Sequence, residues 1–133
     1  ALFGHHGGQV NVTDGRYVYM RGPATETNAP LHNYTLMPNH MRSAFSPDEL
    51  QNAEFVPGFS HMRGCNVLRT EAGGRWPSQC QYGHLLFDLE RDPNERSPLS
   101  DAAVEDRMIN HLVKLMRACD APDEQYVRLG LNP

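Results

Sequence analysis

Long apolar runs, clustered positive charge and paired cysteines are all missing from this sequence of 133 residues. No stretch approaches the roughly 20 apolar residues that cross a bilayer, so we expect no membrane-spanning helix and no membrane partner. The 12 Lys and Arg residues are scattered, and the formal net charge is −4. We therefore expect no nucleic-acid partner, because phosphate binding requires a basic stripe.

The cysteines Cys65, Cys80 and Cys119 contain no Cys-x-x-Cys pair. This spacing predicts neither a disulfide framework nor a zinc ribbon. Thiols slightly favour the cytoplasm, whereas a signal peptide on a longer parent chain would direct the protein to the periplasm. The chain opens on Ala1-Leu2-Phe3 without an initiator Met, which we interpret as the start of a fragment. The localisation is left unassigned.

Short alternating segments predict a sheet. Residues 10–12 and 17–19 alternate around an Asp-Gly pair, the pattern of a tight β-hairpin. Further strands are predicted over 32–37, 65–70 and 84–89. We expect the last of these to be central because it is the most apolar.

Two helices are predicted near the C-terminus, after a short one that starts at Ser46-Pro47. Ser100 is a candidate N-cap for the main helix, and residues 123–129 form a second helix that Gly130 ends in a left-handed conformation. Apolar residues recur in the main helix at amphipathic spacing: Val104, Met108, Leu112, Leu115, Met116 and Cys119.

These elements predict an α+β fold: one domain, 1–133, in which an antiparallel sheet of about four strands packs against the long amphipathic C-terminal helix, with long loops. The turn-rich segment 73–77 should be an exposed excursion. Met37 and Met41, beside His40, are interpreted as core-packing residues rather than soft-metal ligands. Met108 and Met116 of the main helix are likewise interpreted as core residues.

The run Leu86-Phe87-Asp88-Leu89-Glu90-Arg91-Asp92-Pro93-Asn94-Glu95 resembles the Leu-Tyr-Asp-Leu, two residues, Asp-Pro, one residue, Glu segment near the end of many sulfatases, with Phe87 replacing Tyr. Residues 3–17 and 34–41 are similar to a bacterial branch of that family. A further block, residues 59–65, is similar to its Pro-Phe-Ser-Phe-Thr-Lys-Gly-Cys segment, with mismatches at Gly58, His61, Met62 and Arg63.

The resemblance implies that the chain is the non-catalytic C-terminal part of a sulfatase, a sulfuric ester hydrolase of the alkaline-phosphatase-like superfamily. Its partner would be the catalytic N-terminal domain of the same parent chain, and calcium and formylglycine would be cofactors of that domain only. Formylglycine arises in a Cys/Ser-x-Pro-x-Arg segment, and the nearest match here, Cys65 to Arg69, has Val67 in place of proline. We therefore assign no catalytic residue and no metal site. An interface left uncovered would allow self-association.

Four residues are candidate substrate-binding groups: His5, His6, His61 and Arg63. His5 and His6 adjoin Gly7-Gly8 and could place an imidazole near an anionic substrate. Arg63 offers bidentate donors to an oxyanion from a loop it shares with His61. The structural alternative for His5 and His6 is an ordinary domain-junction segment. For His61 and Arg63 it is a solvated loop.

Other functions stay open at this point. The chain could be an independent anion- or glycan-binding module, part of a phosphate or phosphonate ester hydrolase of the same superfamily, or a freestanding enzyme with histidine acid–base chemistry. An exposed apolar patch would favour a domain that docks on a neighbour, whereas a compact pocket would favour a binding module. An enzyme would require a base and an orienting group within hydrogen-bond reach.

Overall fold

The computed structural model describes residues 1–72 and 79–132, and the α+β fold class is confirmed. The described residues fall into two compact units, the first comprising 1–30 and 79–132 and the second 31–72. The turn-rich segment predicted at 73–77 lies outside the described residues. Along the chain the elements are β1 (Leu2–Gly4), β2 (Val10–Thr13), β3 (Tyr17–Arg21), β4 (His32–Thr35), α1 (Pro47–Gln51), β5 (Glu54–Pro57), β6 (Asn66–Glu71), β7 (Leu85–Asp88), α2 (Ala102–Ala118) and α3 (Asp123–Leu129).

The first unit is built on a four-stranded antiparallel sheet in the order β1-β2-β3-β7. The predicted hairpin joins β2 to β3. Asp14 Oδ1 accepts hydrogen bonds from the backbone N–H groups of Arg16 at 3.0 Å and Tyr17 at 2.8 Å. Gly15 adopts a φ of 102°, which a residue with a Cβ rarely tolerates. The turn chemistry was therefore readable from the sequence.

Helix α2 covers one face of this sheet. Val12 lies opposite Tyr19, and Tyr19 lies opposite Leu86, so these three side chains form a row across the strands. The row packs in one hydrophobic core with the buried helix residues Met108, Leu112 and Met116. Each such side chain contributes about 1.5–3 kcal/mol when it is removed from water. The prediction that Met108 and Met116 are core residues is confirmed.

Both ends of the helical region follow the sequence signals closely. The N-cap of α2 is Asp101, one residue after the predicted Ser100, and its Oδ1 accepts from the N–H groups of Ala103 and Val104. The next helix, α3, spans Asp123–Leu129 and ends at Gly130 with a φ of 61°, as predicted. Buried residues of α3 and the segment after it complete the core: Tyr126, Leu129 and Leu131.

The apolar sequence of β7 predicted a central strand, but β7 is the last strand in the sheet order. Its end is fixed by Asp88, which is 5% exposed and accepts two hydrogen bonds from the Arg16 guanidinium, at 3.3 Å and 2.9 Å. The Arg16 hydrogen bonds hold the pKa of Asp88 below its usual value. Asp92 then closes the following turn by accepting from Ser97 N at 2.7 Å. The run that resembles sulfatases is thus a structural strand and turn.

The second unit contains a three-stranded antiparallel sheet in the order β4-β6-β5. Strands were predicted at the positions of β4 and β6, but β5 and the separate sheet were not predicted. Ser46 caps α1 as expected, and Glu49 completes a capping box by accepting from Ser46 N. In the central strand, Val67 and Thr70 are buried.

Candidate functional site

The loop between β1 and β2 presents His5 and His6, both exposed, above a buried Gly7-Gly8 pair. The N–H of Gly8 donates to the carbonyl of His5 at 3.0 Å and closes a tight turn. A Cβ placed on Gly8 would lie 2.4 Å from the His5 ring, so only glycine allows the imidazole to lie over this backbone. Gly8 therefore leaves room for the His5 ring over the turn.

Two polar side chains from distant parts of the sequence hold the loop from beneath. The Arg128 guanidinium donates to Gly8 O at 3.1 Å and to Asn28 Oδ1 at 2.9 Å. The Asn28 amide in turn donates to Gly7 O at 2.7 Å. Asn28 adopts a left-handed φ of 52°, a conformation that asparagine accepts more readily than most residues. These contacts join α3, residue 28 and the histidine loop into one buried network, which we call the Arg128 network.

Arg128 carries its charge in an unusual setting, because the side chain is 2% exposed. Its described hydrogen bonds go to neutral oxygens, including Gln125 Oε1 at 2.9 Å. Burial lowers the pKa of the guanidinium, and the charge of Glu124 partly opposes that change. A buried cation is costly unless it is fully hydrogen-bonded. Movement of the loop would break the Arg128 hydrogen bond to Gly8 O, so the network restrains the loop backbone. A loop whose backbone is held in this way presents imidazoles that suit recognition of an anion or proton transfer.

His61 and Arg63, the other two predicted substrate-binding residues, lie in the second unit. His61 is part of a 3₁₀ turn over Ser60–Met62, and its ring stacks on Phe59 with centroids 5.9 Å apart. Arg63 follows the turn with a φ of 53°, and both side chains are exposed. The structure thus brings His5 together with Gly8, and His61 together with Phe59.

Gly58 differs from the sulfatase segment that this block resembles, and the structure explains why a glycine occupies this position. A Cβ at this position would lie 2.2 Å from the carbonyl oxygen of Cys65, so the backbones approach too closely for any other residue. Arg69, the last residue of the Cys65 to Arg69 match, lies in β6 and forms an ion pair with Glu54. This local geometry is that of a strand, as predicted for residues 65–70.

A histidine–carboxylate pair that the sequence did not predict lies at the start of α1. His40 Nε2 is 2.8 Å from Glu49 Oε1, and the His40 ring packs against Phe45 with centroids 4.5 Å apart. The N–H of Ser46 and then His40 stabilise the ionised carboxyl and lower the pKa of Glu49 to about 2. Because the same carboxylate also closes the capping box, the geometry is first of all that of a helix start.

The second unit exposes a set of large apolar side chains, which we call the apolar surface. Met41 is 85% and Phe55 is 76% exposed. The predicted packing role of Met37 and Met41 is therefore wrong, because both side chains are exposed in the irregular segment between β4 and α1. Together the members are Leu36, Met37, Met41, Leu50 and Phe55.

Part of the apolar surface is a shallow groove of about 140 Å³ that includes Leu36, Met37 and Phe55. Its floor follows from strand register, since both Thr35 and Phe55 lie opposite Leu68 of the central strand. Side chains directly opposite one another share a face of the sheet. The groove is therefore one face of the β4-β6-β5 sheet and not a collection of unrelated side chains.

Across residues 1–72 and 79–132, no group of three or more His, Cys, Asp or Glu side chains could hold a metal ion. No helix in these ranges is long and apolar enough to span a membrane. No disulfide joins Cys65, Cys80 and Cys119. Comparisons with known protein families, with curated proteins and with solved structures found no match to this chain.

Proposed function

We propose that the chain is the non-catalytic C-terminal part of a sulfatase-family hydrolase, and that its apolar surface docks on the catalytic domain of the same parent chain. Sulfuric ester hydrolysis, with formylglycine and calcium, then belongs to that domain. This chain contributes support and, through His5 and His6, a rigid loop for the substrate pocket. His61 and Arg63 are the corresponding candidates in the second unit.

The exposed apolar side chains of the second unit are the observation that carries the proposal. Large exposed apolar groups cost free energy in water, and Leu36, Met37 and Phe55 meet at one groove, as at an interaction site. The sheet face beneath them supplies a groove that a neighbouring side chain can fill. A covalently attached domain is the occupant we favour, because the motifs of residues 3–17, 34–41 and 86–95 resemble the part of a sulfatase that follows its catalytic domain.

The Arg128 network supports the role of the histidine loop. A pocket residue must be held in place before the substrate arrives, because ordering a loop on binding consumes binding free energy. Gly7 O and Gly8 O are both hydrogen-bonded to buried side chains, so the backbone that carries His5 and His6 is ordered in advance. This arrangement fits a loop that contributes to a pocket better than it fits an ordinary junction segment.

The test of docking compares Phe55→Ala in this chain and in the longest natural chain that contains it. In this chain the substitution should change the free energy of opening at the β6 amides by less than about 0.5 kcal/mol, since Phe55 is 76% exposed. In the longer chain it should cost about 2–4 kcal/mol, because the ring is then buried in an interface. Hydrogen exchange measures both values.

Val127→Ala is the matched control, because Val127 is 65% exposed but lies on α3 of the first unit. It should have a small effect in both chains. Equal effects of Phe55→Ala in the two chains would contradict docking through the apolar surface.

A further inference from the structure

A cleft in the first unit concentrates positive charge in a chain whose net charge is negative. It has a volume of about 370 Å³ and lies between the C-terminal half of α2 and the residues that follow α3. Arg21, Lys114 and Arg117 line it together with the amides Asn110 and Asn132, and no carboxylate is among the lining residues that the structure describes. Three cations around one concave surface indicate a place where negative charge is stabilised.

Arg21 is the rigid part of this cleft. Its Nε donates to Leu129 O at 2.8 Å, its Nη2 to Gly130 O at 2.9 Å and its Nη1 to the hydroxyl of Tyr19 at 3.1 Å. A guanidinium has five N–H donors, so these bonds leave one on each Nη atom. The remaining donors are held in a fixed plane at the cleft, which suits bidentate contact with an oxyanion.

The other polar groups come from one face of α2. Asn110, Lys114 and Arg117 are separated by four and three residues, the spacing that aligns side chains along a helix. All three are exposed, and no ion pair joins Lys114 or Arg117 to a carboxylate within residues 1–72 and 79–132. The helix dipole favours a cation in the last turn, such as Arg117. It does not account for Lys114 and Arg21 meeting at the same cleft.

One carboxylate connected to this cleft is Glu105, which accepts a hydrogen bond from the hydroxyl of Tyr19 at 3.0 Å. That hydroxyl stands between Glu105 and Arg21, because it also accepts from Arg21 Nη1. Glu105 therefore orients the tyrosine and through it the guanidinium. The neighbouring groove on α2 contains Asp14, which is paired with Arg107 at 3.4 Å.

We infer that this cleft binds a tetrahedral oxyanion, sulfate or phosphate, either free or as the terminal group of a monoester. The two remaining Nη donors of Arg21 hold one edge of the anion. Lys114 and Arg117 approach from the helix face, and Asn110 and Asn132 offer amide donors. The site uses none of the residues on which the proposed function rests, so either proposal can fail without the other.

The test is a titration of the ¹⁵N-labelled chain with sodium sulfate, with sodium chloride replacing it at equal ionic strength as reference. Sulfate should produce saturable shifts of the backbone amides of Asn110, Lys114 and Gly130. The double variant Lys114→Gln with Arg117→Gln should weaken binding by about tenfold or more, because two charge-assisted contacts are lost. The same titration with sodium phosphate, phenyl sulfate and phenyl phosphate identifies the source of the anion.

Arg42→Gln with Arg96→Gln is the matched control, since it removes the same charge from exposed positions outside the cleft. It should leave the sulfate affinity within about twofold, because distant exposed charges are screened. Esters that bind as tightly as inorganic sulfate assign the cleft to a monoester group, and esters that bind more weakly assign it to the free ion. Shifts that are identical in chloride, or an equal loss of affinity in the control pair, would overturn the inference.

Discussion

The Arg128 guanidinium donates a hydrogen bond of 2.9 Å to the side-chain oxygen of Asn28, a residue 100 positions earlier in the chain. The Nδ2 group of Asn28 donates a hydrogen bond to Gly7 O. The same Nη1 group of Arg128 also donates to Gly8 O. The position of the histidine loop is therefore determined by a residue of the last helix.

Replacing Arg128 with Met should loosen this loop without removing either histidine. Gly8 O loses its described donor, and a buried unpaired carbonyl costs about 1–3 kcal/mol. We expect the free energy of unfolding to fall by about that amount, and amide exchange at Gly8 and Gln9 to become faster. Arg96→Met, on an exposed side chain, should change neither. Unchanged exchange at Gly8 in the Arg128 variant would contradict the positioning role.

Asn28 allows the hydrogen bonds to be separated from the backbone conformation. Asn28→Gly keeps the φ of 52° accessible and removes only the amide, whereas Asn28→Ala adds the cost of a left-handed alanine, about 1 kcal/mol. We expect both variants to be destabilised, alanine more than glycine, in urea unfolding. An Asn28→Ala variant more stable than Asn28→Gly would contradict the left-handed conformation of residue 28, because glycine itself lowers stability through the unfolded chain by about 0.4–1 kcal/mol.

The core beneath the sheet should respond to truncation in the usual way. Leu112 is fully buried between α2 and the row of β-strand residues, so Leu112→Ala should lower the free energy of unfolding by about 2–5 kcal/mol. Leu36→Ala, on the apolar surface, should change it by less than about 0.5 kcal/mol in this chain. A small effect at Leu112 would contradict the described packing of α2.

Glu49 makes the start of α1 sensitive to acid. Its pKa is about 2 in the folded chain, against an ordinary value of 4.5. Because the folded value is the lower one, the stabilisation is complete above about pH 4.5 and is lost as the pH falls towards 2. Glu49→Gln should remove this dependence of amide exchange in α1, and Asp48→Asn should keep it. A side-chain titration of Glu49 near 4.5 would show that the Ser46 and His40 contacts do not persist in solution.

Local sequence signals predicted the elements whose structure is decided locally. The Asp14-Gly15 turn, the Ser46 cap, the periodic face of α2 and the left-handed Gly130 each depend on a few neighbouring residues, and all are present. Strand β7 was placed wrongly because apolar composition indicates burial but not the order of strands in a sheet. Neighbours in a sheet are set by long-range pairing, which no short segment encodes.

The Arg128 network was missed for a different reason. An arginine in a short helix is ordinarily expected to face water, and a neighbouring valine to be buried. Here the reverse holds, because Arg128 is buried and Val127 is exposed. The adjacent Gly7-Gly8 pair was a usable signal, because paired glycines often mark a close approach of another group to the backbone. The exposure of Met37 and Met41 could not be read from composition, since methionine serves equally in cores and at interaction surfaces.

The most direct test of the central claim is hydrolysis of an aryl sulfate and of the matching phosphate ester, with calcium supplied, by this chain and by the longest natural chain that contains it. The account predicts sulfate ester hydrolysis by the longer chain and none by this chain. Turnover by this chain alone, or a longer chain that hydrolyses only the phosphate ester, would contradict it.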